Sequence, residues 1–367
     1  MLRRWVSIAL LLPAAALLAF AATADRSWFL RHVVVPAYYQ PPPAWTLPGL
    51  RVACVVLALA LCGCALLASR HATASGAARV GLAVALSFGA AEMVLRLADR
   101  PEIETPNPRL EWQLGIQDPI TGWAYVPGRS VEVRTYGGGQ RVRYDIDARG
   151  NRAPSTDFIE DASVPTLIVA GESIATGHSL PWRDTFAARL GTMLGLQVVN
   201  VAEGGYASDQ ALLRAREALR RLVRPVALVE TVLPVQLHRN VQDDRPHLVL
   251  RGGELVLEPP SASRLRLREI FVNQLPYLSE ARLSRSLELT RAILRETARE
   301  AQARGARPLF VVPSFDASRP EAFAVETVLE GLPHVVVDLD RSRLLPDGHP
   351  DPRGAQQIAD AAAEALR

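Results

Sequence analysis

Three long apolar stretches dominate the first hundred residues, from Trp5 to Ala22, Leu50 to Ser69 and Val80 to Ala98. Each approaches the ~20 residues that cross a hydrocarbon core of roughly 30 Å, so each is predicted as a membrane helix. After residue 98 the period changes. Residues 99–164 open rich in proline and then alternate. Val131 and Val133, followed by Val142, Tyr144 and Ile146, fit two half-buried strands joined through Gly137-Gly138-Gly139. From Pro165 onward, short buried runs alternate with helical stripes. Thr166 to Ala170, Val198 to Val201, Val226 to Leu233, Pro308 to Val312 and Val335 to Val337 read as strands. Phe186, Leu190, Met193 and Leu194 share one helix face. Leu212, Ala215, Leu219 and Leu222 share another, with Ser208 as its N-cap. Gly305 fits a C-cap ahead of Pro308, and a last helix is predicted from about Gly354 to Leu366. This alternation predicts an α/β fold, a three-layer α/β/α arrangement around a parallel five-stranded sheet.

The expected organisation is therefore a membrane region at 1–98, a β-rich lead-in at 99–164 and an α/β domain at 165–367. Residues 240–285 interrupt that domain as an insertion. Within it His247 to Leu250, Gly252-Gly253 and Glu254 to Leu257 read as a hairpin. Arginines set the direction of the membrane part. Arg3, Arg4, Arg70 and Arg79 favour the cytoplasmic side and outnumber Arg26 and Arg31 in the first loop, which places everything after Ala98 outside. The first stretch ends near Ala22-Thr23-Ala24 and also fits a secretory signal; its cleavage leaves a two-helix hairpin and the same external domain. Glu92 and Arg96, one turn apart near the end of the third stretch, are read as an interfacial pair.

Composition narrows the partners. The formal net charge is +3, carried without any lysine, and no basic cluster points to nucleic acid. Cys54, Cys62 and Cys64 all fall in the second apolar stretch, so the polar remainder has neither a disulfide nor a thiolate metal site. No phosphate loop or metal-ligand cluster is visible in the sequence, and no cofactor is expected.

In an open parallel sheet, chemistry gathers beyond the carboxyl ends of the strands. Four loops meet that condition: Gly171-Glu172-Ser173, Glu203-Gly204-Gly205-Tyr206, Pro234-Val235-Gln236 and Asp347-Gly348-His349-Pro350. Ser173 follows a buried strand and opens a helix, where its hydroxyl faces solvent and its N–H belongs to a positive helix end. A serine nucleophile needs an imidazole, and the imidazole needs a carboxylate. Asp347 and His349, two residues apart, project to one side of an extended turn and supply both. Asp338 and Asp340 rank behind Asp347 as the carboxylate. Ser314 and Asp316 are read as pocket lining, and His178 and His238 as loop or surface histidines.

These blocks resemble those of SGNH/GDSL hydrolases over about Pro165 to Arg367. Gly171-Glu172-Ser173 is similar to their GDS block, with Glu172 for the usual aspartate, and Asp347-Gly348-His349-Pro350 to their closing block. Asn200 to Tyr206 is similar to the second block, in which Gly205 is the oxyanion donor. Gly122-Trp123 and Asp147 to Arg152 also resemble membrane-tethered members. The resemblance implies an SGNH/flavodoxin-like fold, with Ser173, Asp347 and His349 catalytic and the N–H groups of Ser173 and Gly205 holding the oxyanion. The third block usually offers an asparagine where this chain has Val235; Gln236 or His238 is a possible substitute. The implied activity is a membrane-anchored serine esterase acting outside the cytoplasmic membrane on an ester of an envelope glycan or lipid, or an acyltransferase on acylated polysaccharide. The rival expectation is an inactive protein of the same fold that binds a glycan or a protein partner.

Overall fold

The computed structural model describes residues 2–25, 46–71, 73–98, 114–134, 141–260, 265–269, 280–315 and 320–367. The glycine turn at 137–139, Arg26, Arg31, Asp316 and the proline-rich start of the lead-in lie outside the described residues. The chain divides into two units, Met1–Arg100 with Ser263–Leu278, and Pro101–Ala262 with Ser279–Arg367.

The first unit contains helices α1 (Leu2–Thr23), α2 (Thr46–His71) and α3 (Ala74–Ala98). All three are long and apolar enough to cross a membrane, with mean hydropathies of 2.2, 2.6 and 1.6 over their apolar cores. Leucine, valine and phenylalanine side chains such as Leu12, Val56, Leu82 and Phe88 stand exposed on them, which is tolerable where the surrounding medium is lipid. Helix α1 packs on α2, and Ser7 Oγ donates to Ala65 O at 3.1 Å. Glu92 on α3 accepts from Arg96 Nε at 2.6 Å, the pairing expected from their spacing. It also accepts the N–H groups of Arg266 (2.9 Å) and Leu267 (3.1 Å), which open the short helix α8 (Arg266–Glu269) inside the insertion.

The second unit is built on one mixed sheet. Strands β6 (Thr166–Ala170), β7 (Gln197–Asn200), β8 (Pro225–Thr231), β11 (Arg307–Ser314) and β12 (His334–Asp338) pair in parallel, in the spatial order β7-β6-β8-β11-β12. Numbered along the chain this is 2-1-3-4-5, the flavodoxin-like order. The sheet has eight strands rather than five. Lead-in strands β3 (Ser130–Arg134), β4 (Arg141–Ile146) and β5 (Arg152–Ala153) continue it antiparallel beyond β7, joined through the pairing of Arg152 with Asn200. The lead-in thus contributes three strands to the sheet. Strands β1 (Gly115–Asp118) and β2 (Gly122–Tyr125) form a hairpin of their own, and β9 (His247–Arg251) and β10 (Glu254–Glu258) form the expected hairpin in the insertion.

Because successive strand residues face opposite ways, each strand serves two cores. Leu167, Val169, Val229 and Val311 pack against α5 (Phe186–Leu194) and α11 (Pro352–Ala365) through Phe186, Leu190, Ile358 and Ala362. Ile168, Ala170 and Leu228 face α6 (Ser208–Arg221) through Ala211, Ala215 and Ala218. Phe310 and Val312 lie under α9 (Glu280–Ala303) and α10 (Pro320–Leu329), and the short helix α7 (Pro234–Arg239) adds Leu237 to that group. Helices therefore cover both sheet faces, and the carboxyl ends of the parallel strands are left to the loops.

Candidate active site

Strand β6 is buried along its whole length and ends at Gly171, whose φ of 129° and lack of a side chain are both required. A Cβ there would meet Thr231 Oγ1 at 2.2 Å. The turn delivers Ser173 as the first residue of the single-turn helix α4 (Ser173–Thr176). A helix leaves its first N–H groups without intrahelical partners, so the Ser173 N–H is available to a ligand. Glu172 caps this turn: its Oε2 accepts Ile174 N–H at 3.1 Å and the Ser173 hydroxyl at 2.6 Å, while Thr231 Oγ1 donates to its Oε1 at 3.3 Å. Between Gly171 and Leu180 only Ser173 and His178 are partly open to solvent.

The closing block forms a tight turn in which Gly348, at φ 85°, lets Leu345 and His349 pair through the backbone. It places His349 Nε2 2.9 Å from Ser173 Oγ. His349 Nδ1 lies 3.3 Å from Asp347 Oδ1, but off line for a directed hydrogen bond; the contact is one of charge and proximity. Oδ1 accepts the backbone N–H of His349 at 3.1 Å. Oδ2 accepts Ser179 Oγ at 3.0 Å and has His178 Nε2 at 3.4 Å. Burial opposes ionisation of Asp347, yet the contacts from His178 and His349 outweigh it and hold this carboxyl well below the usual range. Asp340 is engaged by its own turn, accepting Ser342 N–H at 2.7 Å, and Asp338 lies with it in an open groove lined by Arg189, Arg343 and Gln357. The structure brings neither of them to His349.

The glycine loop is held from two sides. Glu203 N–H donates to Gly171 O at 3.2 Å, so this loop runs beside the serine loop. Tyr206 N–H closes a turn on Glu203 O at 3.2 Å, with Gly205 at φ 82° in its third position. On the outer side Trp123 Nε1 donates to Gly204 O at 3.2 Å. A trans peptide points its N–H opposite its C=O, so fixing Gly204 O aims the Gly205 N–H away from Trp123. Gln236 is turned elsewhere: its Oε1 accepts Leu233 N–H at 2.9 Å and its Nε2 donates to Thr231 O at 3.4 Å, which engages both ends of the amide between the end of β8 and the start of α7. Val235 packs on the rim of the core that contains Ile174 and Leu233, and His238 is buried on α7.

The sequence reading placed His178 among loop histidines; the structure sets its ring against that of His349, with centroids 4.1 Å apart and planes 31° from parallel. Its loop is fixed by buried Arg152 of β5, whose guanidinium donates to Thr176 O and Gly177 O at 2.6 Å each and also to Leu180 O. Arg152 stacks over the Tyr144 ring at 3.9 Å, and Tyr144 Oη accepts Ser179 N–H at 2.7 Å. The only sequence signal for these contacts was the likeness of Asp147 to Arg152 to other tethered chains, which assigned them no role. His178, Asp347 and His349 bring their ligand atoms within 4.8 Å of one another, a spacing that would also suit a transition-metal ion.

No family model and no curated protein matches this chain. Among solved structures it is similar to a lipolytic protein of the G-D-S-L family from Desulfitobacterium hafniense DCB-2 (TM-score 0.36, 11% identity, 55% of this chain and 98% of that one). It is similar also to a family two carbohydrate esterase from Cellvibrio japonicus (TM-score 0.31, 11% identity, 63% and 64%). A third is a variant of Axe2, an acetyl-xylooligosaccharide esterase from Geobacillus Stearmophilus (TM-score 0.34, 15% identity, 56% and 94%). Likenesses this distant carry no weight in the chemistry that follows; the strand order and the side-chain geometry do.

Proposed function

We propose that the second unit is a serine esterase, anchored by the three apolar helices and acting outside the cytoplasmic membrane on an ester-linked acyl group of an envelope glycan or lipid. The observation that carries this is the 2.9 Å approach of His349 Nε2 to Ser173 Oγ with Asp347 behind the ring. His349 Nε2 takes the hydroxyl proton as Oγ bonds to the acyl carbon. The carbonyl becomes an oxyanion facing the N–H groups of Ser173 and Gly205. The tetrahedral intermediate expels the alcohol, which receives the proton from His349, and leaves an acyl-serine. Water then enters by the same route and releases the carboxylic acid; a sugar hydroxyl in its place makes the reaction an acyl transfer. With Val235 where an asparagine donor is usual, and both ends of the Gln236 amide engaged by Leu233 and Thr231, the oxyanion rests on backbone groups alone. Loss of one such donor costs roughly a hundred- to a thousandfold in rate, so slow turnover is expected.

That same position favours the rival reading, an inactive binding protein. Treating the detergent-solubilised full chain with a fluorophosphonate decides between them. Labelling that disappears in Ser173→Ala is expected; a folded protein that takes no label is the binding protein.

A further inference from the structure

We propose that His178 is a positioning residue for the Ser173–His349–Asp347 set, acting as a side-chain donor that fixes Asp347. The inference rests on the reading of Ser173 as nucleophile. The two oxygens of Asp347 serve different loops. Oδ1 faces the closing block, through the N–H and Nδ1 of His349. Oδ2 faces the loop after the nucleophile helix, through Ser179 Oγ at 3.0 Å and His178 Nε2 at 3.4 Å. The carboxylate is therefore the joint between segments 168 residues apart in the chain.

The loop that presents His178 is rigidly built. Arg152 holds three of its carbonyl oxygens, and Tyr144 Oη holds the N–H of Ser179. Ser179 is kept at φ 60°, the one positive φ at a non-glycine position among the described residues, a conformation that persists only when surrounding contacts dictate it. This matters because His349 Nδ1 stands off line from Asp347. When His349 accepts the serine proton it becomes an imidazolium, and its Nδ1–H needs a carboxylate that does not turn away. Anchoring Oδ2 from the far side leaves Asp347 one orientation. The ring of His178 at 4.1 Å also limits how far His349 tilts as it shuttles the proton.

Two variants separate donation from bulk. His178→Phe keeps a ring against His349 and loses the donor; His178→Gln keeps an N–H donor and loses the ring. The readouts are fluorophosphonate labelling rate and hydrolysis of p-nitrophenyl acetate by the full chain in detergent, with melting temperature measured alongside. In His178→Phe we expect labelling and kcat to fall about ten- to hundredfold with KM within about twofold, and in His178→Gln a return to within about threefold of wild type. A His178→Phe protein that labels at the wild-type rate overturns this inference and leaves the esterase reading standing. Equal losses in both variants overturn it also, since the ring rather than the donor would then be what counts. A wild type that takes no label, or a Ser173→Ala protein that still does, removes the esterase reading and this inference with it.

Discussion

Glu172 exceeds an aspartate by one methylene, and that extra reach puts its Oε2 2.6 Å from Ser173 Oγ. A hydroxyl has one proton, so Glu172 and His349 are rival acceptors for it. On the proposed mechanism this gives the substitution a cost, because the proton must be re-aimed before attack. Glu172→Asp is expected to raise the fluorophosphonate labelling rate about three- to tenfold, and an unchanged or lower rate would show that Glu172 helps the nucleophile. Glu230 is a second carboxyl with a legible consequence. It sits fully buried on β8, on the face covered by α9, and burial pushes it up to about 8. Thr297 on α9 relieves it little, since that hydroxyl already donates to Ile293 O at 3.1 Å. The folded state keeps this proton to about pH 8, whereas the unfolded chain releases it near 4.5. The stability tied to the site is thus intact below pH 4.5 and is lost as pH rises through 8. Glu230→Gln removes the dependence. Thermal melts should show the variant within about 1 kcal/mol of wild type at pH 5 and ahead by about 3 kcal/mol at pH 8. Parallel melting curves across that range would refute the account.

Among the elements, the lead-in strands carry more of the site than their distance from Ser173 suggests. Trp123 on β2 fixes the Gly204 carbonyl, and Arg152 on β5 fixes the loop that ends in Ser179. Trp123→Phe keeps the ring beside Tyr206 and removes only the Nε1–H donor to Gly204. If Gly205 donates to the oxyanion, kcat for p-nitrophenyl acetate should fall about tenfold with the melting temperature within a few degrees of wild type. A loss of stability without a loss of kcat would confine Trp123 to packing. The contrast between these strands and the central ones explains what the sequence could tell. β6 is a fully buried and largely apolar run and β8 is apolar up to Val229, so strands over Thr166 to Ala170 and within Val226 to Leu233 were readable directly. β5 is two residues long and includes a buried arginine, a pattern that local hydropathy assigns to a loop. Its place in the sheet depends on pairing with Asn200, 48 residues on, which no local period encodes. The site divides the same way. Ser173 stood out because it follows a strand and opens a helix, and Asp347 and His349 because they lie two apart shortly before the last helix, while the contacts of His178 and Ser179 arise only when two distant loops meet at Asp347.

For the whole molecule, the arginines at positions 3, 4, 70 and 79 argue for a second unit that lies outside. Protease added to right-side-out membrane vesicles should digest it, and inside-out vesicles should protect it until detergent is added; the opposite pattern would reverse the direction of all three helices. The spacing of the site along the chain has a further consequence, in time. Ser173 and His349 are 176 residues apart, and strands β8, β11 and β12 are all laid down between them. At about 5–20 residues per second, roughly 9 to 35 s separate the synthesis of Ser173 from that of His349. On the proposed reading, Ser173 is through that interval a hydroxyl without its imidazole, and the unfinished chain is expected to take no fluorophosphonate label.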